Sequence, residues 1–195
     1  MPIAEGLYQH RIADEPNGIT EKWVLDQHAS GTQLDITFLA DYTLTATVNI
    51  SSQAKITRFV YHIDNDFHGQ YQRTGNILTV ERTLPGNTRI SDKIILPDDA
   101  ILDLPFVCCK PYTLLALQKK GISSVFAPLL RSGDRAGDLA KKSLRLVTNA
   151  KITLAGQTYD TQYVRYGRDY WLNENKHVLR ARQDLYDIIL VEYSR

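Results

Sequence analysis

Leu144-Arg145-Leu146-Val147-Thr148-Asn149-Ala150-Lys151-Ile152-Thr153-Leu154 carries the clearest periodicity in the chain. Leu144, Leu146, Thr148, Ala150, Ile152 and Leu154 occupy alternate positions, and most residues between them are polar. A period of two is what a half-buried strand with one wet face requires, because successive side chains leave opposite faces of the pleat. The pattern recurs at Leu34, Ile36 and Phe38, and again at Leu44, Ala46, Val48 and Ile50. Turn-forming clusters separate such runs: Pro16-Asn17-Gly18, Ser30-Gly31, Asp64-Asn65-Asp66, Gly75-Asn76, Pro85-Gly86-Asn87 and Asn173-Glu174-Asn175. About eleven strands follow from this reading. No series of helical crossovers lies between them, so they are expected to pair antiparallel.

One segment departs from the strand period. Pro111 to Gly121 opens with a proline suited to a first helical turn and closes with Lys119, Lys120 and a glycine able to terminate a helix. Tyr112, Leu114, Leu115 and Leu117 make it apolar over much of its circumference, so it is expected to be buried against the sheet. Beyond it, Arg131-Ser132-Gly133-Asp134-Arg135-Ala136-Gly137-Asp138 reads as a flexible polar loop and a candidate lid.

The chain has 195 residues, 43% hydrophobic and 23% charged, proportions of a single globular domain spanning 1–195. A formal net charge of +1 from interspersed residues supplies no field to attract a polyanion, so no nucleic-acid partner is expected. No run of 18 apolar residues and no export signal are visible, so neither a transmembrane segment nor secretion is expected. Cys108 and Cys109 are adjacent, which strains an ordinary disulfide; a reducing, cytoplasmic setting follows.

Tyr61-His62-Ile63-Asp64-Asn65-Asp66-Phe67-His68 is the densest titratable patch. A three-residue loop at 64–66 sets Ile63 opposite Phe67, His62 opposite His68 and Phe59 opposite Tyr71. The register sorts aromatic residues onto one face and the two histidines onto the other. His62, His68 and Asp64 are therefore candidates for proton transfer, alongside a solvated face as the ordinary alternative. Two imidazoles and two carboxylates also suggest a divalent ion, but the bland reading prevails and no metal is expected. Cys108 or Cys109 at the helix start would need a base to act as a nucleophile, and buried thiols are usually unreactive. Lys119, Lys120, Arg131, Arg135, Lys141 and Lys142 could meet an anionic head group or form a solvated face. No nucleotide fingerprint or catalytic elbow occurs, and no cofactor is expected. Tyrosines account for 11 of the chain's aromatics, pairing apolar bodies with hydroxyls as a ligand cavity requires, although strands also favour them.

Leu154-Ala155-Gly156-Gln157-Thr158-Tyr159-Asp160-Thr161, followed by Arg168-Asp169-Tyr170-Trp171-Leu172 and a returning Val178-Leu179-Arg180, resembles the LolA/LolB-like half-barrel superfamily of lipoprotein carriers and glycolipid-binding proteins. The resemblance covers about thirty residues. It implies a mainly β fold: a strongly curved antiparallel sheet, or half-barrel, wrapped around one buried helix at about 111–121, with a hydrophobic cavity between them. A sheet of many strands tends to curl in any case. The expected function is binding of an apolar or amphipathic small molecule, lipid-like or glycolipid-like. Trp23, Phe38, Phe59, Tyr61, Leu114, Leu117, Tyr163 and Trp171 are the expected cavity walls. The alternative is a cofactor-free isomerase or cyclase using the same pocket, with His62, His68, Asp64 or a tyrosine moving a proton.

Overall fold

A computed structural model describes residues 2–64, 67–133 and 135–194. The protein is mainly β, 67% strand and 9% helical. A first meander comprises β1 (Pro2–Ile12), β2 (Glu15–His28), β3 (Gly31–Leu39), β4 (Thr43–Ser51), β5 (Ile56–Ile63), β6 (Phe67–Thr74), β7 (Ile77–Leu84) and β8 (Thr88–Ile95). The chain then leaves the sheet through β9 (Ile101–Leu102), a 3-10 turn at Val107–Cys109, α1 (Lys110–Lys120), β10 (Ile122–Pro128) and β11 (Gly137–Ser143). It returns as β12 (Leu146–Leu154), β13 (Gln157–Tyr166), β14 (Arg168–Leu172), β15 (Val178–Gln183) and β16 (Tyr186–Ser194). β16 pairs with β1, which joins the two meanders into one 13-stranded antiparallel sheet with β12 and β8 at its edges. β9, β10 and β11 form a separate three-stranded sheet.

The structure has sixteen strands among the described residues where periodicity suggested about eleven. The shortfall has a physical cause. β1 turns Ala4, Gly6, Tyr8 and His10 inward, and β2 turns Glu21 inward, so small and charged residues interrupt the apolar stripe. β8 and β11 bury almost nothing on either face and carry no stripe to detect. β12 is an edge strand whose first four residues are all exposed, so its strong alternation overstates its burial.

One face of the first meander forms the core. Leu34, Val48, Phe59, Tyr71 and Val80 stand in register across five strands. A neighbouring row alternates large and small: Gly6, Trp23, Ile36, Ala46, Tyr61, Gly69 and Arg82. A Cβ on Gly6 would lie 2.8 Å from the Trp23 indole, and one on Gly69 would lie 2.6 Å from the Tyr61 ring. The two glycines thus let large rings lie flat across neighbouring strands.

Residues 97–137 cover this face. α1 begins one residue before the expected proline and ends at Lys120, where the Gly121 N–H bonds Leu117 O at 2.8 Å and Gly121 takes a φ of 76°. The polar loop expected to be a lid is pinned instead. Tyr61 donates to Leu130 O, Tyr71 to Ala136 O, and Arg82 to Ser132 O and Arg135 O. Asp134 lies outside the described residues.

Candidate functional site

The register of the β5–β6 hairpin is the one its sequence suggests: Phe59 opposite Tyr71, His62 opposite His68, Ile63 opposite Phe67. Phe59, Tyr61 and Tyr71 pack inward, while His62 and His68 are exposed on the outer face, their rings stacked 5.7 Å apart. A cleft of about 500 Å³ lies beside them, lined also by Gln70, Glu81, Thr83 and Arg89. Asp64 accepts the Thr43 N–H at 2.8 Å and so serves the turn; Asp66 lies outside the described residues. The sheet separates these histidines from α1, so they do not share a pocket with the aromatic face. Among the described residues no three His, Cys, Asp or Glu side chains are grouped to hold a metal ion.

Two clefts flank α1 on the other side of the sheet. The first, about 310 Å³, lies between α1 and β1–β3 and is lined by Tyr8, Trp23, Leu25, Leu34, Tyr112 and Leu115, with Asn175 to His177 at its rim. The second, about 210 Å³, has Ile56, Ala100, Leu102, Tyr112, Leu115 and Ala116 as its apolar lining. Tyr112, Leu115 and Ala116 repeat at helical spacing as the half-covered stripe of α1, which continues to the exposed Lys119. Trp23 is 3% exposed, yet its Nε1 donor has no hydrogen-bond partner among the described residues. Burial pushes the Tyr8 hydroxyl and the Cys108 thiol to higher pKa, so Cys108 stays a neutral thiol rather than a nucleophile.

The expected wall residues divide four ways. Trp23 lines the first cleft. Phe59, Tyr61, Leu114 and Leu117 are close-packed core, with Phe59 and Tyr61 stacked 5.4 Å apart. Phe38 faces inward farther along the strands, against His10 and Tyr42. Tyr163 and Trp171 pair across β13 and β14 on the outer face, where Asp169 binds Tyr163 and Arg165, and Arg180 lies 5.7 Å over the Trp171 ring. The basic residues near the loop do not form one cluster: Arg135 pairs with Asp138, Arg131 lies over Tyr42, Lys141 pairs with Asp99, and Lys119 and Lys120 lie at the second cleft.

Three buried polar residues escape the periodicity argument. Glu21 is 1% exposed and accepts the Val107 and Cys108 N–H groups at 3.0 and 2.8 Å, which anchors the start of the helical segment to β2. Burial raises its pKa, opposed by those same hydrogen bonds and by Lys110. Arg82 spans the loop carbonyls already named. His10 bonds the Tyr186 hydroxyl through Nδ1 at 2.5 Å, meets Phe38 edge to face, and leaves Nε2 without a partner. Its alternation with Ala4, Gly6 and Tyr8 was the available signal.

Burial, aided by Arg168, depresses His10 from 6.5 to about 4. Between those values the unfolded chain binds the proton and the folded chain does not, so stability contributed by neutral His10 is lost as pH falls. We expect this to remove up to about 3 kcal/mol between pH 7 and pH 4. Glu21 nearby acts in the opposite sense, so the comparison to make is denaturant unfolding of the wild type against His10→Gln. Parallel pH profiles for the two would refute the assignment.

The chain matches no protein-family model, no curated protein and no solved structure.

Proposed function

We propose that the protein binds a small apolar or amphipathic molecule against α1, in the manner of the LolA/LolB-like half-barrels it resembles in sequence. The observation that carries this reading is a pair of clefts beside α1 that share Tyr112 and Leu115 in their lining, each with apolar side chains in the majority. An apolar first cleft and a second one with an apolar floor and a polar rim suit a ligand that is buried by its body and oriented by its head. The unpartnered Trp23 Nε1 is one donor for that purpose.

A sheet rolled around the helix belongs to the same reading. In a flat sheet β13 and β6 would stand nine spacings, about 43 Å, apart. Asp103 accepts the Tyr166 hydroxyl of β13 at 3.1 Å and donates its N–H to Phe126 O, and the Phe126 ring lies 6.4 Å from Tyr71 of β6. Two residues between strands so far apart in sheet order favour a roll over a plane. The free, buried thiols of Cys108 and Cys109 favour a reducing, cytoplasmic setting; no helix among the described residues is long and apolar enough to cross a membrane. The isomerase or cyclase alternative has less support, because His62, His68 and Asp64 do not line the two clefts beside α1, and burial raises the pKa of the tyrosines that do, Tyr8 and Tyr112.

The test is a fluorescence titration with the neutral probe N-phenyl-1-naphthylamine. Saturable binding is expected, weakened about tenfold or more by Leu115→Arg, which puts a charge between the clefts at a half-covered position. Absence of saturable binding, or equal binding by the variant, overturns the proposal.

A further inference from the structure

We infer that the ligand is an amphipathic anion whose head lies at the second cleft, between Lys55, Arg73 and Lys119; this rests on the binding function proposed above. The apolar floor of that cleft, Ile56, Ala100 and Leu102, is almost wholly buried. Its rim carries Lys55, Arg73, Lys119 and Lys120 against a single carboxylate, Asp98. Four cations against one carboxylate around an apolar floor contrast with the chain as a whole, where charges of both signs nearly balance at a net of +1.

The rim cations differ in how far they are already engaged. Lys120 donates to Asp99 O, and the Arg73 guanidinium donates to Gly75 O and Ala100 O. Lys55 uses only its main chain, with Ser51, and among the described residues neither its ammonium group nor that of Lys119 has an ion pair or hydrogen bond. Arg73 is half-buried, and desolvation lowers its pKa against the opposing charge of Asp98; a further anion beside it would add to that compensation. Part of the charge of Lys119 and Lys120 offsets the negative end of α1. Lys55, in the β4–β5 connection, and Arg73, on β6, have no such role.

Tyr112 and Leu115 also line the first cleft, whose volume of about 310 Å³ has room for a tail. Its rim contributes only one lysine, Lys176. The asymmetry sets the direction of the ligand: head toward Lys55 and Lys119, tail toward Trp23 and Leu34. A neutral amphiphile would leave the cations unused, and a cationic one would be repelled by them.

The test displaces bound N-phenyl-1-naphthylamine with decanoate, decanol and decyltrimethylammonium, which share a tail and differ in head charge. Decanoate is expected to bind tightest and decyltrimethylammonium weakest. The Lys55→Gln, Lys119→Gln double variant, both sites exposed, is expected to weaken decanoate about fivefold to tenfold and leave decanol unchanged. Raising salt should weaken decanoate only. Equal displacement by decanoate and decanol, or a double variant that binds decanoate as the wild type does, overturns the anionic head and leaves the cavity reading intact. Failure of the neutral probe itself to bind overturns both.

Discussion

Glu21→Ala is expected to lower the unfolding free energy by about 3 kcal/mol, one of the two largest single-residue losses we foresee. The carboxylate is buried and its two oxygens each accept a main-chain N–H, from Val107 and Cys108, 86 and 87 residues away along the chain. Alanine leaves both donors unpaired in the core, at about 1 to 3 kcal/mol each, partly offset by no longer burying a carboxylate. Glutamine is not a rescue, because it presents one acceptor and one donor where two acceptors are needed. The loss also reaches the ligand site. With the 107–109 turn released from β2, Cys108 and Pro111 shift against Tyr8 and Trp23, and N-phenyl-1-naphthylamine binding falls with stability. Denaturant midpoints are the measurement. A loss below about 1 kcal/mol would mean that the helical segment is held by its apolar contacts alone.

Gly69→Ala is expected to cost about 3 to 5 kcal/mol, as much as truncating a core aromatic. The added methyl would lie 2.6 Å from the Tyr61 ring. Tyr61 has no room to yield: it is fully buried, stacked on Phe59, and its hydroxyl is bound to Leu130 O at 2.8 Å. The Tyr61 hydroxyl is held at a pKa of about 12, chiefly by burial. Tyr61→Phe removes only the hydrogen bond and is expected to cost about 1 kcal/mol. Gly75→Ala makes an informative contrast. Gly75 has a φ of 61° and open space around it, so its cost is conformational alone, about 1 kcal/mol. Equal midpoints for Gly69→Ala and Gly75→Ala would show that the Tyr61 ring moves aside freely.

Both residues were present in the sequence without their meaning being readable there. Glu21 looks like any charged residue in a strand, because its partners sit on a turn that reaches it only through the fold. Gly69 looks like a break in the strand, because the ring that needs the space belongs to the neighbouring strand. Leu114 and Leu117 were correctly read as buried, but periodicity could not tell a packed core from a cavity wall. Tyr163 and Trp171 alternate properly in β13 and β14, yet they occupy the outer face, where arginines cover the rings.

Local rules were enough to determine the strand class, the antiparallel pairing, the limits of α1 near Pro111 and Gly121, and the register of the β5–β6 hairpin. Each of these depends on neighbours a few residues away, so each leaves a periodic trace. Tertiary structure alone decided which face of the sheet is covered, where Glu21, Arg82 and His10 are buried, and where the clefts beside α1 lie. A period of two defines two faces and is the same whichever is buried; the choice is made by residues 97–137, which return from far along the chain to cover one of them.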